Sequence, residues 1–335
     1  MPIEFPSVRQ EATFYNPLED FAETTIPVEV REDPLTGRQT RIVPENFLVP
    51  DEAPDISEVV DDDEGCFFCP DSVGDVTPRY PDFVGTDRGS VGEATSFPNL
   101  NPYGAHSNVV VLTEDHYVPI DEFGVETFAD GFEAAMEYVQ AVFDHDDTAT
   151  LASVNMNFLR SAGSSIIHPH VQTLVDERGT NRQRRQLDAQ LVYFEEHGRR
   201  YLDDLLEAER GGERYIGRTG DVEWYAPFAP RHHRHVRGVL DAETVPAADD
   251  EIYVDLAAGL VAVLQAYADV GLNSFNFGFQ VAADEPATKP VIDVVARSVF
   301  DQYYWSDATF FDAIHEESVV DVPPEEYAAD VAERV

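Results

Sequence analysis

The alternation of apolar and polar positions predicts the same order of secondary-structure elements twice along the chain. The first set comprises a strand at 107–113, a helix at 121–144, and strands at about 152–159 and 166–175. The second set comprises strands at about 221–228 and 235–240, a helix at about 248–270, and strands at 274–281 and 290–297. A polar-faced helix at about 180–209 separates them. We therefore predict an α+β chain with a duplicated unit, in which Asn157 and Asn276 occupy equivalent positions. The alternative is that the two sets resemble each other only by coincidence.

One predicted strand carries an unusual set of polar side chains. His168, His170 and Gln172 are spaced two residues apart between apolar flanks, so a strand would place all three on one face. A histidine on a rigid strand can ligate a metal, relay a proton or attack phosphorus. From the residues alone these roles remain open, as does that of partly buried histidines bonded to their neighbours.

The two cysteines of the chain, Cys66 and Cys69, are separated by two residues. Such a pair is either half of a zinc site or a redox dithiol. A thioredoxin-type dithiol opens a helix after a strand, whereas we expect a loop here because Pro70, Gly74 and Pro78 follow. The sequence favours metal binding, and two thiolates need two further ligands to complete a tetrahedron.

The composition is strongly acidic. There are 65 acidic and 22 basic residues, a formal net charge of -43, and Lys289 is the single lysine. An excess of carboxylates with lysine almost eliminated predicts a surface adapted to concentrated salt, as in a halophilic archaeon. Nucleic acid and anionic membranes are poor partners for such a charge. With no leader pattern and no apolar window of about 18 residues found, we expect a soluble cytoplasmic protein.

Three segments together resemble the galactose-1-phosphate uridylyltransferase family of the histidine-triad superfamily. They are Cys66-x-x-Cys69, residues 104–116, and residues 157–172 with their His-Pro-His-x-Gln run. The resemblance extends from about Arg31 to the C-terminus. It implies two fused histidine-triad-type repeats, each an antiparallel sheet with helices packed on it. Residues 1–210 would carry the zinc site and the catalytic strand, and residues 211–335 would lack the histidine motif.

The resemblance also implies roles for individual residues. His170 would be the nucleophile that forms a covalent nucleotidyl-histidine, and Gln172 would hold the phosphoryl oxygens. The substrate-binding positions would be Asn99 at the nucleoside and Asn157, Gly163 and Ser165 at the phosphates. Cys66, Cys69, His116 and His168 would bind one structural Zn²⁺ per chain. Family members are commonly dimers with shared sites, so a homodimer is implied by the resemblance alone.

The implied function is nucleotidyl transfer in carbohydrate metabolism, namely ping-pong transfer of UMP from a nucleotide sugar to a sugar 1-phosphate. One alternative is a nucleotide phosphorylase that acts on an ADP-sugar or a dinucleoside polyphosphate. Another alternative, of a different class, is a non-catalytic zinc-stabilised nucleotide-binding protein.

Some positions depart from the family. A second metal site is predicted to be absent, because its positions hold Gln186, Gln280, Val294 and Ala296. The segment that recognises the hexose in family members holds Phe311-Asp312-Ala313 and Val319, which puts galactose specificity in doubt.

The basic segment 231–237 has no counterpart in the family. It is interpreted as a solvated loop, an anion-binding patch or, through His232, His233 and His235, a further metal site. Arg182, Arg184 and Arg185 are interpreted as a helix face or, less simply, as phosphate contacts.

Overall fold

The computed structural model describes residues 3–43, 49–50, 54–304 and 306–335, which form fourteen strands and eight α-helices. The strands are β1 (Ser7–Asn16), β2 (Ala22–Glu32), β3 (Gln39–Ile42), β4 (Gly89–Val91), β5 (Ala94–Pro98), β6 (His106–Val111), β7 (Leu151–Phe158), β8 (His170–Asp176), β9 (Tyr215–Thr219), β10 (Val222–Tyr225), β11 (Val236–Leu240), β12 (Phe275–Ala282), β13 (Val291–Ala296) and β14 (Ser318–Val320). The helices are α1 (Ser57–Val60), α2 (Pro70–Val76), α3 (Val125–His145), α4 (Asn181–His197), α5 (Tyr201–Glu209), α6 (Ile252–Asp269), α7 (Phe310–His315) and α8 (Pro324–Ala332).

Ten strands form one antiparallel sheet, and its two halves, each counted inward from its own edge, have the same pattern of strand order. The order is β4-β5-β6-β8-β7-β12-β13-β11-β10-β9. Each half runs along the chain as three strands, a helix and two strands, and the halves join where β7 pairs with β12. This arrangement confirms the predicted α+β class with two fused repeats. The division into domains at residue 210 stays a prediction.

The two faces of this sheet are covered differently. On one face, α3 and α6 pack on both halves and enclose the main apolar core, which includes Phe132 and Leu260. On the other face, α5 packs on the second half through Leu202 and Leu205. The first half carries only a small cluster there, around Phe68 and Phe97. The sheet face of the first half is therefore the more open one.

A smaller sheet of order β1-β2-β3-β14 contains the N-terminal residues. A turn joins β2 to β3, in which the Gly37 amide donates to the carbonyl oxygen of Asp33 at 2.9 Å. β14 pairs with β3 in parallel and so ties the C-terminal part of the chain to the N-terminal strands.

Two predicted element boundaries are wrong. The helix expected at 180–209 is divided into α4 and α5, because Gly198 ends α4 in the left-handed conformation, with φ of 66°. β8 begins only at His170, so His168 precedes the strand and does not share its face with Gln172. Pro169, which has no N–H to give to a strand ladder, separates the two histidines.

α6 corrects a third expectation. It is 18 residues long with a mean hydropathy of 1.3, which is long and apolar enough to cross a membrane by length and composition. In the protein, 67% of this window is buried, as is typical of a core helix that packs on both sides.

Candidate functional site

The four predicted metal ligands meet beside the first half of the sheet. Their ligand atoms all lie within 4.8 Å of one another. The Cys69 Sγ is 3.5 Å from the His116 Nδ1, and the Sγ atoms of both cysteines are 3.7 Å from the His168 Nδ1. Around a tetrahedral zinc ion, sulfur and nitrogen ligands are about 3.6 Å apart, given the usual bond lengths. The spacing of the four side chains therefore fits zinc.

The hydrogen bonds of His168 prepare it for a metal. Its Nε2 lies 2.8 Å from the carbonyl oxygen of Thr113, which only accepts, so Nε2 carries the proton and Nδ1 turns its lone pair to the cysteines. Burial lowers the pKa of His168, which favours the neutral ligand form. Burial and the neighbouring Cys66 raise the pKa of Cys69 to about 11, so a bound cation is what would hold both sulfurs as thiolates.

The loop expected after Cys69 is wrong. A helix does begin directly after Cys69, because α2 starts at Pro70 where we expected a loop. No strand leads into the pair, since residues 61–69 form neither strand nor helix. The decisive feature is instead the arrival of His116 and His168, which supply the two missing ligands.

His170 lies at the wall of a cavity of about 350 Å³. Its Nδ1 donates to the carbonyl oxygen of His168 at 2.8 Å, which leaves the lone pair of Nε2 free. Burial lowers the pKa of His170, and the Phe68 ring meets the imidazole edge-on at 5.1 Å. The side chain is therefore a neutral imidazole of fixed tautomer, the form in which a histidine can act as a nucleophile.

Three further predicted residues line the same cavity: Gln172, Ser165 and Asn99. Asn99 follows β5, and its Oδ1 accepts the Asn101 amide at 2.9 Å. Its Nδ2 is buried and has no acceptor in the described part of the chain. An unpaired amide donor at a cavity wall is suited to binding a ligand oxygen or ring nitrogen.

Asn157 and Gly163 lie together but do not line this cavity. Both are exposed, and a Cβ built on Gly163 would be 4.0 Å from the Asn157 Nδ2. The loop between them begins at Leu159, whose φ of 66° and ψ of 167° belong to a region that is otherwise nearly restricted to glycine. Leu159 is fully buried and its carbonyl oxygen accepts the amides of Ala162 and Ser164, so the surrounding contacts hold the loop in this conformation.

Two residues that the sequence did not assign to the site determine the orientation of Asn157. The Arg297 Nη1 donates to the Asn276 Oδ1 at 2.6 Å, and Asn276 Nδ2 donates to the Asn157 Oδ1 at 2.7 Å. Because a guanidinium only donates, these contacts fix both amides and leave the Asn157 Nδ2 as a free donor. Asn276 stood out in the sequence as a counterpart of Asn157, but Arg297 gave no signal.

The segment 231–237 is not a solvated loop. His233 and His235 are buried and bonded to the carboxylates of Asp321 and Asp293, at 2.7 and 2.6 Å. His232 contacts the carbonyl oxygen of Ala296 at 3.1 Å. Within the described ranges, the group of side chains placed to surround a metal ion is the Cys66 cluster, so the three histidines do not form a further metal site.

The remaining positions at which the sequence departs from the family it resembles lie in three parts of the fold. Gln186 and Gln280 line a small cavity, and Val294 and Ala296 are buried in the core. Phe311 and Ala313 lie on α7, and Val319 lies on β14. The absence of a second metal and the loss of galactose specificity stay predictions.

No protein-family model matches the chain. An uncharacterized protein from Archaeoglobus fulgidus is 37% identical over 310 residues, which cover 91% of this chain and 92% of that protein.

Solved structures share the fold. A GalT-like protein from Arabidopsis thaliana is 20% identical, with a TM-score of 0.69 over 92% of this chain and 99% of its own. An ADP-glucose phosphorylase from Arabidopsis thaliana with bound ADP-glucose is 19% identical, with the same TM-score and coverage. A uridylyltransferase is 20% identical, with a TM-score of 0.63 over 91% of this chain and 98% of its own. The chain therefore belongs to one family with the Archaeoglobus fulgidus protein and has the fold of these GalT-like, phosphorylase and uridylyltransferase structures.

Proposed function

We propose that the protein is a nucleotidyltransferase that works through a covalent nucleotidyl-His170. The observation that carries the proposal is the neutral His170 imidazole, whose Nδ1 is bonded to a carbonyl oxygen and whose Nε2 is left free beside a cavity of about 350 Å³. In the first step, the Nε2 lone pair forms a bond to the α-phosphorus of a nucleotide sugar. The bond from this phosphorus to the bridging oxygen breaks, and its electron pair leaves with the sugar phosphate.

In the second step, an oxygen of an acceptor phosphate attacks the same phosphorus. The bond between nitrogen and phosphorus breaks and returns the lone pair to Nε2. The positive charge that the ring carries in the intermediate is stabilised through the Nδ1 proton by the His168 carbonyl oxygen. Gln172 cannot give up or take up a proton near neutral pH, so it would hold the phosphoryl group without activating water.

Neutral donors for the phosphates would come from Ser165, which lines the cavity, and from the Nδ2 of Asn157 near the end of β7. Gly163, on the adjoining loop, would leave room for a phosphate, because its own amide donates to the Arg160 carbonyl oxygen at 3.0 Å. Asn99 would contact the nucleoside through its unpaired Nδ2. Phosphoryl transfer depends mainly on alignment and charge stabilisation, which such a set of fixed donors provides.

Zinc would be held by Cys66, Cys69, His116 and His168, four protein ligands that leave no open position. When bound, it supplies structural cross-linking and no reacting group. Through His168 it would hold the carbonyl oxygen that orients His170.

We propose a sugar 1-phosphate as the acceptor, with UMP as the transferred group, and inorganic phosphate as the second candidate. The second candidate is supported by the ADP-glucose phosphorylase, whose fold this chain shares, and by the absence of the hexose-recognition residues at 311–313 and 319. The acidic composition supports activity in a salt-rich cytoplasm, which predicts loss of structure in dilute buffer.

The test is to incubate the zinc-loaded protein in molar KCl with UDP-glucose or ADP-glucose and to measure its intact mass. We expect an increment of one UMP or one AMP, no increment in His170→Ala, and the wild-type increment in His197→Ala, which removes an exposed histidine. Adding galactose 1-phosphate or inorganic phosphate to the adduct then identifies the acceptor. If calorimetry shows binding of UDP-glucose and ADP-glucose but no adduct forms, the non-catalytic alternative would be supported. An adduct that persists in His170→Ala would exclude His170 as the nucleophile.

A further inference from the structure

Four arginines gather around the second half of the sheet: Arg38, Arg182, Arg231 and Arg237. Each acts electrostatically on others of the group. Two carboxylates lie among them. Asp293 is bonded to Arg182 and Arg237, and Asp33 caps its own turn by accepting from Thr36 at 2.8 Å. The group therefore contains four positive charges and two negative ones, which leaves a net charge of about +2.

Arg231 and Arg38 are the two arginines of this group that form no ion pair with a carboxylate in the described part of the chain, and Asp33 acts on Arg38 only through its charge. The Arg231 guanidinium has no hydrogen-bond acceptor and no carboxylate partner among the residues that the structure describes. Arg38 donates only to neutral oxygens, including the carbonyl of Ala229 at 2.6 Å, and its Nε is buried without a partner. Burial lowers the pKa of Arg231, and the charges of Arg182 and Arg38 lower it further.

A cavity of about 330 Å³ opens beside these two side chains. Arg38, Arg185 and Arg231 line it, together with Glu316 and Glu317. Both glutamates are already paired, Glu316 with Arg185 at 2.7 Å and Glu317 with Arg41 at 3.0 Å. They therefore do not neutralise Arg231 or Arg38.

This arrangement is unexpected in a chain with a net charge of -43, in which carboxylates are plentiful. Arg231 and Arg38 are half-buried, and a partly desolvated cation without an ion pair is costly. An anion that accepts hydrogen bonds from the guanidinium removes this cost. Arginine forks match the oxygens of a phosphoryl group, and a dianion would balance the two uncompensated charges.

We propose that this cavity is a second anion site, which binds the phosphoryl group of inorganic phosphate or of a phosphate monoester. It shares no lining residue with the His170 cavity. The inference therefore does not depend on the proposed nucleotidyl transfer.

The test is to titrate the protein with inorganic phosphate and with glucose 1-phosphate, at constant pH, chloride and ionic strength, by calorimetry and thermal unfolding. In Arg231→Met we expect at least a tenfold weaker phosphate affinity and loss of the phosphate-induced rise in Tm. Arg184→Met is the matched control, because Arg184 is exposed on α4 and paired with Asp188, and its phosphate affinity should change less than twofold. The monoester arm identifies the source of the phosphoryl group by its relative affinity.

Two further variants distinguish a lost anion site from misfolding and from phosphate binding in the His170 cavity. Because Arg231→Met removes an uncompensated charge, its Tm without phosphate should equal or exceed that of the wild type. Gln172→Ala should retain the phosphate affinity. Phosphate affinity that is unchanged in Arg231→Met, or lost in Gln172→Ala alone, would overturn the proposal, as would the absence of saturable binding to the wild type.

Discussion

The two halves of the large sheet have the same backbone plan and opposite chemistry. The Leu112 amide donates to the Pro169 carbonyl at 3.0 Å, and in the second half the Leu240 amide donates to the Pro290 carbonyl at 3.0 Å. In the transverse row of strand partners, Gln172 lies opposite Asn155, Asn155 opposite Gly278, and Gly278 opposite Asp293. By this register, residues 289–293 occupy in the second half the place of residues 168–172 in the first.

Two positions of this segment hold side chains with different roles in the two halves. Gln172 faces a cavity, whereas the equivalent Asp293 is buried and bonded to Arg182, Arg237 and His235. At the first position, His168 meets the cysteines, whereas Lys289 is paired with Asp203 of α5 at 2.7 Å. The comparison shows that strand position alone does not create a site. The site exists where the covering segments leave the sheet face open.

The largest effect is expected at the candidate metal cluster of the first half, which would cross-link the N-terminal loops to His168. Cys66→Ser or Cys69→Ser should reduce zinc from about one equivalent per chain to near zero, because two histidines and one thiolate bind it poorly. The loss should cost several kcal/mol of folding free energy and abolish the nucleotide adduct, because His168 then no longer fixes the carbonyl oxygen beside His170. Elemental analysis and intact mass measure both effects. His197→Ala should keep its zinc, and full zinc content in Cys66→Ser would contradict the assignment.

The ion network of the second half gives the next largest effect. Asp293→Asn leaves Arg182 and Arg237 without their shared carboxylate, and we expect a loss of about 3–5 kcal/mol in unfolding free energy. Asp188→Asn makes the same change in an exposed pair with Arg184 and should cost about 0.5 kcal/mol or less. Denaturant titrations distinguish the two, and equal costs would show that the buried network does not stabilise the fold.

The same carboxylate gives this stability a pH dependence. The pKa of Asp293 is held well below its ordinary value, despite burial, by Arg182 and Arg237. A carboxyl group with a lowered folded pKa contributes stability above its unfolded pKa, about 3.9, and this contribution is lost as the pH falls. Acid unfolding should therefore be less steep in Asp293→Asn than in the wild type.

The sequence predicted the order of elements because each element carries its own periodicity. It also brought His170, Gln172, Asn99 and Ser165 into consideration, and the structure places them at one cavity. That step came from the resemblance to a family and not from periodicity. His168 was misplaced because its apolar flanks predict a strand, whereas its actual position is determined by Pro169 and the distant Thr113.

Other features depend on contacts between distant segments. The sequence left the basic run at 231–237 open between a solvated loop, an anion-binding patch and a metal site, because local charge gives no information on Asp293 or Asp321. These two residues lie about sixty and ninety residues further along. Arg297 escaped notice for the same reason, since its role depends on the pairing of Asn157 with Asn276 across two strands.

The side-chain amides of Asn157 and Asn276, which join the two halves, should affect the rate of adduct formation more than the free energy of unfolding. In Asn276→Asp, Arg297 still has an acceptor, but Asn157 loses its donor and must turn its own Nδ2 to the new carboxylate. The Asn157 Oδ1 would then face the phosphates, and we expect adduct formation to slow by about 10- to 100-fold, or about 1.4–2.7 kcal/mol. Single-turnover mass spectrometry measures the rate.

A double-mutant cycle separates this effect from simple charge repulsion. If Asn276 acts through Asn157, then Asn276→Asp should cause no further slowing in an Asn157→Ala background. If the new carboxylate only repels the phosphates, the slowing should be the same in both backgrounds, and the positioning role would be wrong.

The smallest effect is expected at Lys289, the second-half counterpart of His168, which belongs to the candidate metal cluster. Lys289→Met keeps the length of a side chain that is 10% exposed and removes its pairs with Asp203 and Asp241, at 2.7 and 3.1 Å. Because both carboxylates are partly exposed, at 37% and 54%, the cost should be about 1 kcal/mol or less. This cost should be smaller still in molar KCl, where these charges are screened.

Denaturant titrations at two salt concentrations measure the cost, with Lys289→Arg as the charge-conserving control. A loss as large as that in Asp293→Asn, unaffected by salt, would mean that Lys289 ties α5 to the sheet as firmly as the metal cluster is expected to tie the N-terminal loops to His168.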